Sequence, residues 1–286
     1  MSTIQSVLRD ATQKLQVLPQ ASPALEAQVL LCHLLGRPRS HLFAWPEQRL
    51  GEAQVAAYRG LLERRLSGEP LAHITGLREF WSLTLKVSPH TLIPRPETEL
   101  LVEQALACPP PSGPVRVADL GTGSGAIALA LASERPTWRI DATDRSAPAL
   151  ALARKNAQAL GLGHVTFYLG DWFAALPPQA RYDLILSNPP YIAANDPHLD
   201  QGDLPAEPFG ALVAGPDGLR DLRRIVREAG NWLNPGGQLL VEHGHTQGAA
   251  VRALFTTAGF SDITSQRDLA GHLRTTGGSW RHGQAV

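Results

Sequence analysis

The chain has 286 residues, which is room for one large α/β domain and a smaller one, and its 26 basic and 26 acidic residues give a formal net charge of zero. Neutrality gives no support for a large nucleic-acid footprint, although a local basic patch is still compatible with it. The two cysteines, Cys32 and Cys108, form no disulfide framework and no metal-ligand spacing, which fits a reducing cytoplasm.

Neither a secretion signal nor a membrane anchor is predicted. The first six residues lack the charged-then-apolar order of a signal peptide. The richest apolar stretch, residues 126–132, is far too short to span a bilayer. We therefore expect a cytoplasmic protein without a membrane partner or a metal, and we take a monomer as its expected state.

Amphipathic helices are predicted over about the first 70 residues. Ser22 before Pro23 is a typical helix start, because proline is favoured at the first helical position. The pattern predicts a small N-terminal helical-bundle domain over residues 1–76, which either packs on the next domain or helps to recognise a macromolecular substrate. The apolar faces of three helices are Ile4, Val7, Leu8, Ala11 and Leu15; Leu25, Val29, Leu30, His33 and Leu34; and Val55, Tyr58, Leu61, Leu62 and Leu66.

A β-hairpin and a connecting helix are predicted for residues 77–108. Residues 79–87 alternate apolar and polar side chains as a strand does, and residues 90–94 are the expected hairpin partner. A helix is expected over residues 97–107. The proline-rich run 108–114 then marks the boundary with the next unit.

Strands and helices alternate from Val115 onward, which predicts an α/β domain over residues 109–286. This alternation is typical of a parallel sheet with helices on both faces, and the tail could supply two final strands. The predicted strands are 115–119, 139–143, 165–169, 183–187 and 238–242, with 261–267 and 273–281 in the tail; the predicted helices are 124–133, 147–160, 218–233 and 247–258.

A glycine-rich loop follows the first strand of this domain and opens a helix. Gly121 and Gly123 allow a sharp turn and a close approach of the backbone to a ligand, while Gly125 and Ala126 leave room for helix–strand packing. The same spacing also satisfies a dinucleotide-binding fingerprint, so the loop alone leaves the ligand open. The loop reads Asp119, Leu120, Gly121, Thr122, Gly123, Ser124, Gly125.

Two acidic positions extend this predicted site. Asp144 ends the second strand about 20 residues further on, where a carboxylate can accept both ribose hydroxyls of an adenosine ligand; capping of the next helix is the alternative role. Trp172 is expected to pack on an adenine face while Asp171 or a backbone amide binds the exocyclic amine. A core or rim tryptophan is the competing interpretation.

Four residues after the strand 183–187 are predicted to hold a planar NH2 group. Asn188 offers a side-chain carbonyl, and Pro189 has no N–H to compete with neighbouring carbonyl oxygens. Two acceptors can bind both hydrogens of one NH2 group, while Tyr191 stacks on its flat face. A proline-rich turn, Pro189-Pro190, leaving a strand is the structural alternative.

The ligand is predicted to be S-adenosylmethionine rather than a dinucleotide. Asp119 suits the positively charged amino acid end of S-adenosylmethionine and would be poorly placed beside a pyrophosphate. The motif Asn188-Pro189-Pro190-Tyr191 has no obvious use in hydride transfer, and the chain offers no candidate nicotinamide site. These residues together predict a methyltransferase.

The motifs resemble those of the bacterial release-factor glutamine N5-methyltransferases. Asn-Pro-Pro-Tyr is shared by enzymes that methylate adenine N6 in DNA and by enzymes that methylate glutamine side chains. The remaining motifs narrow the resemblance to the glutamine branch, and it runs nearly end to end. Those motifs are residues 68–81, 92–99, 196–199, 207–208 and 241–244.

The resemblance implies an α/β class I S-adenosylmethionine methyltransferase, with a Rossmann-like mixed sheet flanked by helices, that methylates the glutamine of the Gly-Gly-Gln loop in class I peptide chain release factors. It implies cofactor contacts from Gly121, Thr122, Gly123, Ser124, Gly125, Asp144, Trp172 and Asn188, with Asp119 and Asp171 beside them. It implies that Asn188, Pro189, Pro190 and Tyr191 bind the substrate glutamine and that Asn188, Pro189 and Tyr191 are catalytic.

Two alternatives remain open at this point. A sister family methylates a glutamine on a ribosomal protein, although Arg95-Pro96 and the N-terminal motifs favour the release-factor branch. An adenine-N6 DNA methyltransferase would need a target-recognition region and a basic face, but the chain has no extra segment of that size and its net charge is zero. We therefore expect no stable nucleic-acid binding.

Overall fold

The fold is taken from a computed structural model, which describes residues 2–19, 22–108 and 114–281. These residues form two compact units. The first is Met1–Leu77 together with Pro197–Ala206, and the second is Arg78–Asp196 together with Glu207–Val286. The segment 197–206 belongs to the first unit although it lies far along the chain, which sequence order does not reveal.

The first unit is a helical bundle. Its first helix is capped by Thr3, whose hydroxyl accepts from the Ser6 amide while the Ser6 hydroxyl accepts from the Thr3 amide. The second helix begins at Pro23, as predicted, and ends at Gly36 with a left-handed φ of 60°. The helices are α1 (Ile4–Leu15), α2 (Pro23–Leu35), α3 (Arg39–Ala44), α4 (Glu52–Leu66) and α5 (Leu71–Thr75); α3 and α5 were not predicted.

The predicted inner face of α2 is wrong. Leu25 and His33 are exposed, whereas the buried residues of this helix are Glu26, Ala27, Leu30 and Leu31. The cause is a charged side chain on the inner face, since the buried Glu26 Oε2 lies 2.7 Å from Arg65 Nε of α4. A prediction from apolar periodicity treats Glu26 as solvent-facing, so the predicted buried face of α2 is shifted by one residue.

The predicted hairpin exists, but its partner strand was placed wrongly. The pairing strands are β1 (Leu77–Phe80) and β2 (Leu83–Lys86), and residues 90–94 form no strand. Trp81 and Ser82 between them have φ values of 52° and 59°, so the chain reverses in two residues. Because neither is a glycine, the sequence gives no turn signal inside the alternating run.

The second unit is built on a seven-stranded sheet in the order β5-β4-β3-β6-β7-β9-β8. All the strands predicted from Val115 onward are present. Strands β3 to β7 run parallel, whereas β9 pairs antiparallel with both β7 and β8, so the sheet is mixed rather than wholly parallel. The strands are β3 (Arg116–Leu120), β4 (Arg139–Asp144), β5 (Thr166–Leu169), β6 (Tyr182–Ser187), β7 (Leu233–Glu242), β8 (Phe260–Arg267) and β9 (Leu273–Trp280).

Helices cover both faces of this sheet. Leu184 and Leu186 of β6 belong to one apolar core and Ile185 to another, because successive strand residues point to opposite faces. The predicted helices are present, although α10 ends before the predicted residue 233, with Gly230 as its C-cap. They are α6 (Glu99–Ala107), α7 (Ala126–Glu134), α8 (Ala147–Ala159), α10 (Arg220–Ala229) and α11 (Gly248–Thr257), with the short α9 (Phe209–Leu212) added.

Strand order decides where a ligand can bind. The chain leaves β3 for β4 on one side and later returns to β6 on the other, so the connections diverge beside the carboxyl end of β3. Ligands of open α/β sheets bind in the crevice at such a point. Within the described ranges, no helix has the length and apolar character needed to cross a bilayer.

Candidate active site

A cavity of about 200 Å³ lies at this divergence point in the second unit. It brings together most of the predicted site residues: Gly121, Thr122, Gly123, Ser124, Asp144, Asp171, Trp172, Asn188 and Pro190 all line it. Asp119, Gly125, Pro189 and Tyr191 lie outside the lining. The walls also include residues that were not predicted, namely His90, Thr91, Leu92, Pro94, Arg95, Thr98, Arg145, Pro208 and Gly210.

The glycine loop is anchored to β4 through its backbone. The amides of Gly121 and Thr122 donate to the Thr143 carbonyl at 2.9 and 2.8 Å. Gly121, Gly123 and Gly125 have φ values of 76°, 58° and 88°, a region that disfavours side chains. A Cβ at Gly125 would lie 3.0 Å from a methyl carbon of Leu129 and 3.3 Å from the Cβ of Ala153, which are residues of α7 and α8. This glycine therefore leaves room for packing between helices, whereas helix–strand packing was predicted.

Asp119 lies beneath the loop instead of on the cavity wall. It is completely buried, and its Oδ2 accepts from the Thr122 hydroxyl at 2.6 Å. Burial raises the pKa of this carboxyl to about 7. Its Oδ1 is buried and finds no hydrogen-bond partner within the described ranges, so one strong acceptor is left unsatisfied directly under the site.

Asp144 lines the cavity and organises the loops around it. Its Oδ2 accepts from the Gly123 amide at 2.9 Å, and its Oδ1 accepts from the Ser146 amide at 2.8 Å. The second bond precedes α8, but the N-cap of that helix is Ser146, whose own hydroxyl accepts from the Ala149 amide, so Asp144 does not take the capping role considered from the sequence. A carboxylate can accept about four hydrogen bonds, so Asp144 retains acceptor capacity toward the cavity.

Trp172 packs against the glycine loop. Its side chain is only 8% exposed, and a Cβ built at Gly121 would lie 2.9 Å from its Cζ3 atom. The indole therefore needs a glycine at position 121. Asp171, which precedes it, forms an ion pair with Arg224 of α10.

The motif after β6 is held by three residues whose roles were not predicted, namely Thr98, Glu242 and Gln247. Asn188 Nδ2 donates to the Thr98 hydroxyl at 3.0 Å, and the Thr98 hydroxyl donates to Glu242 Oε2 at 2.7 Å. The Tyr191 hydroxyl donates to Glu242 Oε1 at 3.2 Å, and the Tyr191 carbonyl accepts from Gln247 Nε2 at 2.9 Å. The only sequence signal for Glu242 is a carboxylate that ends a buried strand.

The carboxyl of Glu242 is completely buried at the end of β7. Burial raises its pKa to about 7, although the hydrogen bonds from Thr98 and Tyr191 oppose this shift. Burial, with the nearby Glu242 charge, also raises the pKa of the Tyr191 hydroxyl. Tyr191 therefore stays protonated and acts as a donor.

Two polar links connect the cavity wall to the segment that carries α9. Arg95 Nη2 lies 2.7 Å from Glu207 Oε2, and the Ile93 amide donates to Glu207 Oε1 at 3.1 Å. Arg145 Nη2 donates to the Gly210 carbonyl at 2.6 Å. Among the described residues, no group of three or more His, Cys, Asp and Glu side chains could hold a metal ion.

Comparison with known proteins agrees with this architecture. The PrmC N-terminal domain matches residues 6–76 and the methyltransferase small domain matches residues 97–202. The release factor glutamine methyltransferase of Vibrio cholerae is 50% identical over 280 residues, covering 98% of this chain and 97% of that protein. The Escherichia coli protein of that name is 50% identical over 273 residues, covering 96% and 97%.

A solved structure supports the fold. The Thermus thermophilus 16S rRNA N2 G1207 methyltransferase, in complex with AdoMet and guanosine, matches with a TM-score of 0.54 and 20% identity over 72% of this chain and 50% of that chain. At this identity the likeness shows the class I methyltransferase fold alone. Together with the near full-length relatives, it leads to one conclusion: this chain is an enzyme that belongs to the release factor glutamine methyltransferase family.

Proposed function

We propose that this protein transfers a methyl group from S-adenosylmethionine to the side-chain amide nitrogen, N5, of the glutamine in the Gly-Gly-Gln motif of class I peptide chain release factors. The observation that carries the proposal is that one cavity joins the glycine loop to Asn188. The names of the relatives support release factors as the substrates. We further propose that the enzyme acts as a monomer without stable nucleic-acid contact.

The cavity residues fit the proposed cofactor. The loop from Gly121 to Gly125 exposes backbone where side chains would intrude, and Asp144 offers acceptors for a ribose. Trp172 offers an apolar ring, and Asp119 holds a buried oxygen without a partner in the described ranges. These residues, with Asp171, would hold S-adenosylmethionine, which supplies a methyl group already activated on a sulfonium sulfur.

The substrate nitrogen needs positioning because its lone pair is delocalised into the amide carbonyl. We propose that Asn188 Oδ1 and the Pro189 carbonyl accept its two hydrogens, which biases the nitrogen toward tetrahedral geometry and frees its lone pair. Tyr191 holds the amide plane by packing, and Pro190 lies in the cavity wall. No side chain need deprotonate the amide beforehand, since positioning alone can contribute about 7–11 kcal/mol in the best cases.

Labelled methyl transfer tests this proposal. Purified class I release factor, its Gly-Gly-Ala loop variant and duplex DNA are each incubated with the enzyme and labelled S-adenosylmethionine. Label on the Gly-Gly-Gln factor alone is the expected result. Label on DNA would assign an adenine methyltransferase, and label on neither the factor nor DNA would favour the sister family that methylates a ribosomal protein.

An Asn188→Ala variant tests the acceptor role in the same assay. Its turnover should fall about 100-fold or more, because a transition-state interaction is lost, while cofactor affinity measured by calorimetry stays within a fewfold. Near-normal turnover with unchanged cofactor binding would contradict the mechanism.

A further inference from the structure

The side-chain amide of Asn188 has two chemically opposite ends, and only one suits the proposed substrate. Its oxygen accepts hydrogen bonds and its nitrogen donates them, although the two ends have nearly the same shape. A glutamine NH2 group needs the acceptor. The nitrogen must therefore be held away from the substrate, and in the structure Asn188 Nδ2 donates to the Thr98 hydroxyl at 3.0 Å.

The other partner of Thr98 fixes the role that its hydroxyl takes toward Asn188. A threonine hydroxyl has one hydrogen, and Thr98 directs it to Glu242 Oε2 at 2.7 Å. Because that hydrogen is directed to Glu242, the Thr98 oxygen faces Asn188 as an acceptor. The Asn188 oxygen would meet a lone pair at this position, whereas the Asn188 nitrogen meets its complement.

The same carboxylate also ties down the other end of the motif. The Tyr191 hydroxyl donates to Glu242 Oε1 at 3.2 Å, so the two oxygens of Glu242 hold the first and last residues of the motif. Thr98 is 4% exposed and Glu242 is 1% exposed, so water cannot readily replace either partner. The chain of hydrogen bonds therefore has one consistent direction, from Asn188 through Thr98 to Glu242.

We propose that Glu242, acting through Thr98, is a positioning residue that sets the polarity of the site by holding the Asn188 oxygen toward the substrate. The inference rests on the proposed function and deepens it, since it says why the site takes an amide and rejects an isosteric carboxylate. A glutamate side chain in the Gly-Gly-Gln position would meet an oxygen instead of a donor.

Thr98→Val tests the inference, since it keeps the shape of threonine and removes the hydroxyl. The probes are a class I release factor with its Gly-Gly-Gln loop, as substrate, and a Gly-Gly-Glu loop variant, as inhibitor. The natural enzyme should turn over the first and bind the second weakly. In Thr98→Val, kcat should fall about 10- to 100-fold, and the preference for glutamine over glutamate should shrink at least about tenfold.

Two further variants separate this role from general damage. Thr98→Ser restores the hydroxyl and should recover most of the turnover and of the discrimination. Thr275→Val removes another buried threonine hydroxyl that accepts from a side-chain amide, that of Gln104 at 2.7 Å, without touching Asn188. It should keep the full discrimination, and cofactor affinity should be alike in all variants.

The outcomes are distinct. A natural enzyme that does not methylate the Gly-Gly-Gln factor would refute the proposed function itself. Natural turnover together with unchanged kcat and discrimination in Thr98→Val would overturn only the polarity role. Equal losses of discrimination in Thr98→Val and Thr275→Val would also overturn it, because the effect would then be structural.

Discussion

Replacing Gly121 by alanine should lower the free energy of unfolding and weaken cofactor binding. The loss of stability has two parts, one from the backbone conformation and one from packing. The backbone at Gly121 has a φ of 76°, where an L residue costs about 1–2 kcal/mol. The added Cβ would also lie 2.9 Å from Trp172 Cζ3, closer than carbon atoms approach in folded proteins. Displacing a packed side chain costs about 1–3 kcal/mol more.

Gly236→Ala is a matched control in the same unit. Gly236 has a φ of 81°, and a Cβ built on it meets nothing within 4 Å, so only the backbone cost applies. We expect Gly121→Ala to lower the free energy of unfolding by about 2–5 kcal/mol and Gly236→Ala by about 1–2 kcal/mol. For a unit of this size, the difference corresponds to a melting temperature at least roughly 2–4 °C lower in Gly121→Ala.

Scanning calorimetry measures the stability, and titration with S-adenosylhomocysteine measures the affinity. A displaced Trp172 should weaken binding about tenfold or more in Gly121→Ala, whereas Gly236→Ala should bind normally, since each 1.4 kcal/mol is a factor of ten. Equal melting temperatures and equal affinities in the two variants would refute the reasoning, because the contact with Trp172 would then carry no energetic consequence.

Three further predictions concern the carboxylates of Asp144, Glu26 and Glu242. In Asp144→Asn, an NH2 group replaces the carboxylate oxygen that accepts from either the Gly123 or the Ser146 amide, so two donors face each other. The affinity for S-adenosylhomocysteine, measured by calorimetry, should therefore fall about tenfold or more. Unchanged affinity would contradict this role of Asp144. Arg65→Ala strands the buried Glu26 carboxylate and should cost the first unit about 3–5 kcal/mol in denaturant unfolding, whereas Arg65→Met combined with Glu26→Leu should recover most of it. The raised pKa of Glu242, about 7 against 4.5, means that its stabilising contribution is fully present below pH 4.5 and is lost as the pH rises through 7. Between about pH 5 and pH 8, the free energy of unfolding in urea should therefore fall less in Glu242→Gln than in the natural protein. The other charged or titratable groups that face this carboxyl are Tyr191, Arg274 and Glu97. Equal pH dependence in the two proteins would contradict a raised pKa of Glu242.

Secondary structure in the second unit was predictable because each element there carries its own local signal. Apolar runs such as 183–187 correspond to strands buried on both faces, and all the strands predicted from Val115 onward are present. The prediction failed where a residue departs from its usual local preference because of contacts made in the folded chain. Glu26 points inward because Arg65 neutralises it, and the chain turns at Trp81 and Ser82 without a glycine.

Residue chemistry alone also pointed to the glycine loop and to the Asn188 motif. Positive φ values require glycine, and a bound NH2 group requires acceptors, so these positions are recognisable in any chain. The residues that hold Asn188 carry weaker marks. Thr98 and Glu242 fall within the motifs 92–99 and 241–244, and Glu242 ends a buried strand, but threonine and glutamate are common at helix starts and strand ends. Their link to Asn188 is visible only once their side chains are seen in contact.

By itself, then, the sequence predicted most elements of the second unit, the glycine loop and the proposed amide acceptor Asn188, because each depends on neighbouring residues. Only the tertiary structure decided which way that acceptor faces. Thr98 and Glu242 are 144 residues apart, and sheet order brings the end of β7 beside the start of α6. The direction of a hydroxyl hydrogen depends on which acceptor lies opposite it, and that is a property of the fold.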